Sequence, residues 1–509
     1  MAPLELRDHR FLGMTQSLCP DCLAVVPAKI VSRAGRVYFR KHCLQHGTRD
    51  DFVCSDERWF DRMEYSLPGK VPARFAISPR RGCPYDCGLC TEHEQHTCIA
   101  VLEITSSCNL TCPLCYASSS PRGVPLPVAD CQRAIDHLVR YEGRPEILQL
   151  SGGEPTVHPQ FVEIFDYACQ QPIDIVMINT NGVRLASDAR LLDQLAERRH
   201  RCEVYLQFDG LDAGSHRVLR GEDLLETKLR AIERLGERQI RTILVCTVET
   251  GVNTDQLGAL VQFAAARPWI TGISFQPATY TGRCPLPETL EQRVTFPDIL
   301  RGIAEQSQGT WRESDFLPLP CAHPNAHSLA YAYRENGRLT PLTRFIDIEN
   351  HLDLLANGIT FNRGSARDLI ADFLSRQSCG CAGDCGPTTL TSPGARAGRP
   401  RPTEPGPVDP VEQAHLEQVA ASFFTRCLRQ DLSPADVFRI TTTSFMDPYN
   451  FDLRQLMKSC VHHLLPSGHL IPFCAYNVLY RDGHVPLPDL CETSLSPTPP
   501  NRVVLDVIS

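Results

Sequence analysis

Residues 108–116 read Cys-Asn-Leu-Thr-Cys-Pro-Leu-Cys-Tyr, and this spacing constrains the chain more than any other feature. Cysteines at C-x3-C-x2-C hold three corners of an iron–sulfur cluster and leave the fourth iron open. Cys108, Cys112 and Cys115 must be thiolates to do so. Ser151-Gly152-Gly153-Glu154-Pro155 follows at the end of the next expected strand. Gly152 and Gly153 lack side chains, so the backbone there can approach a bound group closely.

The chain has 509 residues, 24 of them cysteine. Its start, MAPLELRDHR, is charged where a secretory leader would be apolar, so the expected compartment is the cytoplasm. Thiols stay reduced there, and their spacing favours metal binding over disulfides. A formal net charge of −8 argues against a nucleic-acid partner. Apolar residues make up 42 % of the chain, enough for a large core. No run of about 18 apolar residues is present, so no membrane-spanning helix is expected. Peripheral contact with the inner face of a membrane stays open.

The segment 99–285 alternates strands and helices. Strands are expected at Ile99–Thr105, Glu146–Ser151, Ile173–Thr180, Glu203–Phe208, Thr242–Val248 and Ile270–Gln276. They are rich in Val, Ile and Leu, as buried parallel strands are. An amphipathic helix is expected from Asp188 to Arg199, capped by Ser187, with Leu191, Leu192 and Leu195 on one face. Six β/α repeats predict an α/β fold, a partial (β/α)6 barrel with its chemistry at the C-terminal strand ends. The motifs fall there. The three cysteines follow the first strand and Gly152-Gly153-Glu154 the second. Asn179 and Asn181 close the third, Gln207 and Asp209 the fourth, and Gln276-Pro277 the sixth.

Residues 1–75 read as a small rubredoxin- or zinc-ribbon-like metal module. Cys19 and Cys22 form one knuckle and Cys43 a second, on either side of a hairpin that turns at Ala34-Gly35. His46 or Cys54 supplies the fourth ligand. Thiolates alone suit iron or zinc, and a histidine tilts the choice towards zinc. Cys83, Cys87 and Cys90 repeat the C-x3-C-x2-C pattern in an auxiliary-cluster segment, 76–98, with Cys98 or Cys54 to complete it. Cys321, Cys460 and Cys474 are expected to hold another auxiliary cluster between a region at 286–385 and a C-terminal unit at 413–485. Cys379, Cys381 and Cys385 are the other choice. A Pro/Gly-rich linker occupies 386–412, followed by a helix from Val411 to about Leu428, and 486–509 is a loose tail. Cys131, Cys169, Cys202 and Cys246 read as core residues.

Taken together, C-N-L-T-C-P-L-C, Tyr116 and S-G-G-E-P resemble the radical S-adenosylmethionine (radical SAM) enzymes. The resemblance implies that the open iron chelates the amino and carboxylate groups of S-adenosyl-L-methionine. An electron then splits the sulfonium to give a 5′-deoxyadenosyl radical that takes hydrogen from an sp3 carbon. It puts Cys108, Cys112 and Cys115 at the cluster. Tyr116, Gly152, Gly153, Glu154, Asn179, Asn181, Gln207 and Asp209 then surround the cofactor, Glu154 accepting from its ammonium.

A narrower likeness lies in the order of a CPxC module, C-P-Y-D-C-G-L-C, C-N-L-T-C-P-L-C, SGGEPT and a late stretch from Phe445 to Asn477. It resembles the family of the archaeal tetraether lipid synthases and the 7,8-dihydro-6-hydroxymethylpterin methyltransferases. That family implies several [4Fe-4S] clusters, one binding the cofactor and one or two auxiliary, and a mononuclear iron or zinc. It also implies an external electron donor of flavodoxin or ferredoxin type. Its chemistry forms a C–C bond, by lipid chain coupling or by methylating a pterin-like small molecule. Asn325-Ala326-His327 stands where a further cysteine is expected after Cys321. Two other readings are a peptide- or protein-modifying radical SAM maturase and, from another class, a non-catalytic iron–sulfur electron carrier. The Gly152-Gly153-Glu154 motif weighs against the carrier.

Overall fold

A computed structural model describes residues 8–346, 410–429 and 431–495. Cys379, Cys381, Cys385 and most of the expected linker and tail lie outside the described residues.

The first unit is an antiparallel meander. Strands β1 (Arg10–Leu18), β2 (Val25–Arg33), β3 (Arg36–Cys43) and β4 (Gly47–Cys54) pair in chain order. Ala34 and Gly35 both take positive φ, 51° and 76°, which gives the tight turn between β2 and β3. Ile30, Val37 and Phe39 point from one face of this sheet into the main core.

After a short strand, β5 (Phe75–Ile77), six parallel strands follow: β6 (Ile99–Thr105), β7 (Ile147–Gly152), β8 (Ile175–Thr180), β9 (Cys202–Gln207), β10 (Thr242–Val248) and β11 (Ile270–Pro277). β6 and β10 begin and end where the sequence predicts, and the others shift by one or two residues. Their outward side chains are covered by helices and their inward ones line the barrel interior, so the hydrophobic runs are continuous rather than alternating. Among the helices are α1 (Val128–Glu142), α2 (Phe161–Gln170), α3 (Ala189–Glu197) and α4 (Ala213–Arg220). Leu191, Leu192 and Leu195 of α3 are buried as expected, but the cap is not Ser187. Asp188 accepts from the Leu191 amide at 2.9 Å, because its carboxylate reaches the third turn amide from the N-cap position. Cys131, Cys169, Cys202 and Cys246 are core residues.

The C-terminal strands do not form a sheet of their own. β15 (Val437–Thr443) adds in parallel to β11, with Gly272 opposite Arg439, and β16 (Val461–Leu464) adds in parallel to β6, with Ile99 opposite Val461. β13 (His327–Glu335) pairs antiparallel with β15, flanked by β12 (Leu317–Pro318) and β14 (Arg338–Pro341). β17 (Leu470–Pro472) pairs antiparallel with β16. β18 (Leu490–Leu495) returns to β5. Residues 444–460 therefore run from one edge of the barrel to the other, as a strap.

The strap is tied to the meander by a buried lysine. Lys41 is 1 % exposed, pairs with Asp51 at 2.9 Å, and donates to the carbonyls of Leu18, Pro448 and Tyr449 at 3.0, 3.0 and 2.7 Å. Thr15 donates to Asp452 at 2.6 Å. A further helix, α5 (Pro410–Leu428), packs Phe423 edge-on against Tyr333 of β13.

Candidate active site

The three cysteines of the 108–115 loop stand at the C-terminal end of β6. They line one cavity of ≈160 Å³ together with Gly152, Gly153, Asn179, Asn181 and Gln207. The loop is held from outside by Arg283. Its guanidinium donates to Cys112 O at 2.7 Å and Ser119 O at 3.0 Å, while its backbone exchanges two hydrogen bonds with Cys115. Burial pushes the Cys108 thiol up to about 12, so it becomes a thiolate only in company with a cation such as iron.

The glycines serve the protein rather than open space. Gly152 has φ +137°, and a Cβ there would collide with the carbonyl of Thr105; one on Gly153 would collide with the carbonyl of Ser107. The close approach is between strand end and cysteine loop.

Glu154 does not line the cavity, contrary to the expected ammonium contact. It is 1 % exposed and accepts from Thr156 N (3.1 Å), Thr156 Oγ1 (2.6 Å), Thr180 Oγ1 (2.7 Å) and Asn181 N (2.7 Å). Four donors fill a carboxylate. The side chain ties the ends of β7 and β8 together. Asp209 also turns away. It is fully buried and receives Arg220 Nε at 2.7 Å and Nη2 at 2.6 Å. Burial would raise its carboxyl, but the Arg220 charge and hydrogen bonds outweigh that and leave it below its ordinary value.

Asn179, Asn181 and Gln207 do face the cavity. Asn179 donates to Ser151 Oγ at 3.1 Å, Gln207 donates to Asn179 Oδ1 at 3.2 Å, and Arg220 donates to Gln207 Oε1 at 3.0 Å. This row of polar groups ends at the cation. Sequence reasoning missed Arg220, which also lines the cavity and stands beside Cys112. It missed Lys228 too, whose Nζ donates to Asn181 O (3.0 Å) and Gln207 O (2.5 Å) and locks the two strand ends. Neither lies in a motif, and each sits on a helix that only folding brings back to the strand ends. Tyr116 lines the cavity, its ring edge-on to Phe473 at 5.1 Å. Phe473 meets Phe445 of the strap at 4.2 Å. A second cavity, ≈90 Å³, shares Tyr116, Asn179, Gln207, Phe445 and Phe473 with the first and continues into the barrel.

In the meander, Cys19, Cys22, Cys43 and His46 converge, their donor atoms all within 4.8 Å of one another. His46 Nδ1 is 3.5 Å from both Cys19 and Cys43 sulfurs. Backbone amides of Gln45 and His46 pull the Cys43 thiol down to about 6, ready for a metal. Cys54, the other choice for this site and for the next, is packed in the core instead, with burial pushing its thiol up.

Cys83, Cys87 and Cys90 converge in a loop wrapped round Asp86, which accepts from the amides of Arg80 (2.7 Å), Gly82 (3.1 Å) and Arg81. Cys98 does not join them. Its thiol interacts with those of Cys321 and Cys460. Its amide donates to Cys460 O at 2.9 Å, because β6 starts beside β16. Cys474 departs from that group and accepts from the Met446 amide at 3.1 Å, holding the strap.

These donor sets fit the implied groups. Three convergent thiols open on a cavity with amides and a cation, three more are gathered in a shut loop, and a Cys3His set is gathered tightly enough for one ion.

Comparison with known proteins agrees. The Radical SAM superfamily pattern matches residues 102–264, and that of the HMPTM N-terminal zinc ribbon domain matches residues 11–55. A 7,8-dihydro-6-hydroxymethylpterin dimethyltransferase of Methanocaldococcus jannaschii is 30% identical over 499 residues, covering 92% of this chain and 94% of that one. The mycofactocin maturase MftC of Mycolicibacterium smegmatis is 32% identical over 164 residues, 32% of this chain and 40% of that one. The solved structure of Streptococcus suis SuiB aligns at a TM-score of 0.35 and 18% identity, over 41% of this chain and 45% of that one. This chain belongs to the radical SAM superfamily of iron–sulfur enzymes and, within it, to the family of the 7,8-dihydro-6-hydroxymethylpterin methyltransferases.

Proposed function

We propose that this enzyme methylates a carbon of a small planar heterocycle of the pterin type. The observation that carries the reading is the shape of the inner space. Two adjoining cavities of ≈160 and ≈90 Å³ are walled by Tyr116, Phe445 and Phe473 beside the amides of Asn179 and Gln207. Rings that stack and amides that hydrogen-bond suit a flat, nitrogen-rich solute. Two lipid chains need a long apolar channel, and a peptide needs an open groove. The similarity over nearly the whole length of a pterin dimethyltransferase supports the same choice.

In this reading Cys108, Cys112 and Cys115 hold the cluster that binds S-adenosyl-L-methionine, and the cofactor supplies a radical able to take hydrogen from carbon. Asn181 and Arg220 hold its polar end, while Asn179 and Gln207 stand at the border of the two cavities. Arg283 fixes the cysteine loop, Glu154 fixes β7 against β8, and Asp209 keeps Arg220 charged. The strap, carrying Phe445, closes the mouth and keeps water and stray hydrogen donors out. The meander holds zinc through Cys19, Cys22, Cys43 and His46 and anchors the strap through Lys41. An external flavodoxin- or ferredoxin-type protein delivers electrons, in the cytoplasm. No helix among the described residues is long and apolar enough to cross a membrane.

The test is anaerobic reconstitution with iron and sulfide, followed by dithionite, 7,8-dihydro-6-hydroxymethylpterin and S-adenosyl-L-methionine in at least twofold excess over it, so that one molecule supplies the radical and a second gives its methyl and leaves as S-adenosylhomocysteine, read by mass spectrometry. The expected result is 5′-deoxyadenosine together with a methylated pterin. Deoxyadenosine with an unchanged pterin, and a coupled product from a lipid extract instead, overturns the substrate choice. A fully loaded protein that yields no deoxyadenosine overturns the catalytic reading.

A further inference from the structure

Cys98, Cys321 and Cys460 are each 0 % exposed and come from three distant parts of the chain. Their backbone is fixed: Cys98 N and Ile99 N donate to Cys460 O at 2.9 and 3.1 Å, and Gln95 Nε2 donates to Cys321 O at 3.1 Å. The Cys98 thiol lies between the other two. Buried thiols with this much scaffolding are ligands in search of a metal, and three leave one position unfilled. Cys474, the cysteine that sequence spacing offers, is not among the thiols that Cys98 meets, and its own Sγ accepts from the Met446 amide.

Two histidines reach the group. His96 brings Nε2 to 3.5 Å from Cys98 Sγ and gathers within 4.8 Å with Cys98 and Glu146, a mixed set that includes neither Cys321 nor Cys460, and Glu142 stands 3.5 Å from its Nδ1. His327 is placed differently. It opens β13, and its Nδ1 meets Thr443 Oγ1 of the neighbouring β15 at 3.1 Å. That contact suits a protonated Nδ1 and leaves the Nε2 lone pair free, and Nε2 lies 3.8 Å from Cys460 Sγ. A ligating histidine is normally oriented through its other nitrogen in this way.

We infer that His327 completes the ligand set of an auxiliary [4Fe-4S] cluster held by Cys98, Cys321 and Cys460. A cluster suits this group better than a single ion does. The Cys3His set of the meander gathers within 4.8 Å, and these four donors do not form such a set. Two properties follow from the chemistry. A neutral imidazole in place of an anionic thiolate leaves the cluster less negative and easier to reduce, the trend seen when histidine replaces cysteine in other iron–sulfur centres. His327 also lines the inner cavity beside Phe445 and Phe473. Its ring is the wall between this cluster and the substrate chamber. The assignment is independent of which substrate the chamber takes.

The experiment uses the full reconstituted chain, with ring-15N histidine, reduced by dithionite and without S-adenosyl-L-methionine, whose own amine would otherwise add nitrogen to the spectrum. Pulsed EPR is expected to show one directly coordinated histidine nitrogen. His327→Ala loses that signal. His327→Cys loses it as well, keeps the wild-type iron and sulfide content, and moves one cluster to a more negative midpoint potential; it also covers the case in which the alanine variant fails to fold. A signal that survives in His327→Cys and vanishes in His96→Ala overturns the assignment. So does a wild-type protein with three clusters and no coordinated nitrogen, or one whose iron accounts only for the clusters of the two C-x3-C-x2-C loops.

Discussion

The loops at 83–90 and 108–115 share one cysteine spacing and differ in everything around it. The first is folded inward round an anion. Asp86 gathers three amides, and Tyr480 seals the loop by accepting from Cys87 N at 3.1 Å and donating to Pro84 O at 2.7 Å. The second is braced by cations, Arg283 across its backbone and Arg220 beside Cys112, and it lines the cavity at the C-terminal strand ends. Spacing decides that a cluster forms. The second layer of residues decides whether a cofactor with a carboxylate can reach it.

The sharpest way to break this comparison is to remove one ligand from each loop. Cys108→Ala is expected to abolish deoxyadenosine formation, a larger loss than the roughly 10–100-fold typical of second-layer changes. Cys87→Ala is expected to keep cofactor cleavage and lose methylated product. If both variants fail to cleave the cofactor, the two loops do not divide the work.

Next in size is Asp209→Asn, which leaves Arg220 buried without its counter-ion at a cost of about 3–5 kcal/mol. Its sign with pH is fixed. The folded carboxyl lies below its ordinary 3.8, so the stabilisation is present above that value and is lost as pH falls through the depressed one. Urea melts of the metal-free chain are expected to show a smaller acid-side loss in the variant than in the wild type, since other depressed carboxyls such as Glu103 and Asp452 remain in both.

Lys41→Met tests the strap. Breaking its buried pair with Asp51 is expected to cost about 3–5 kcal/mol. Methylation is expected to fall further than deoxyadenosine formation, because the strap carries Phe445 and no cluster ligand of the 108–115 loop. Equal losses in both would place the strap's effect on the cofactor instead.

The smallest effect is expected at Asp188, far from both loops. Asp188→Ala removes a helix cap worth about 1 kcal/mol. It is expected to lower the melting temperature slightly with no change in either reaction, and a change in turnover would mean that stability alone limits the assays.

The barrel strands were legible because strands buried on both faces carry uninterrupted Val, Ile and Leu, and nothing else in the chain imitates that. The three cysteines that line the cavity at the strand ends were legible because all three lie within eight residues. Cys98 was not. Its neighbour along the chain is the 83–90 loop, whereas its neighbour in space is Cys460, set by the pairing of β6 with β16. Glu154 and Asp209 stand in the right motifs, but each is consumed by protein partners, Thr156, Thr180 and Asn181 for one and Arg220 for the other. Such partners come from separate strands and helices and leave no local pattern. Cys474 stands near two histidines in the sequence, but in space it is not among the thiols that Cys98 meets.

The pairing of β15 with one barrel edge and β16 with the other has a consequence for how the enzyme is made. A ribosome delivers β6 to β11 long before the strands that flank them. Until then the nascent barrel has two open edges and the Cys98 thiol lacks Cys460. The three cysteines of the 108–115 loop are made early, whereas the Cys98 site is complete only once residue 460 has been made. Until then the half-made sheet must be kept from pairing with other chains, and this site fills later than the first. A truncation anywhere before β16 yields a protein that can acquire the first metal centres and never the last.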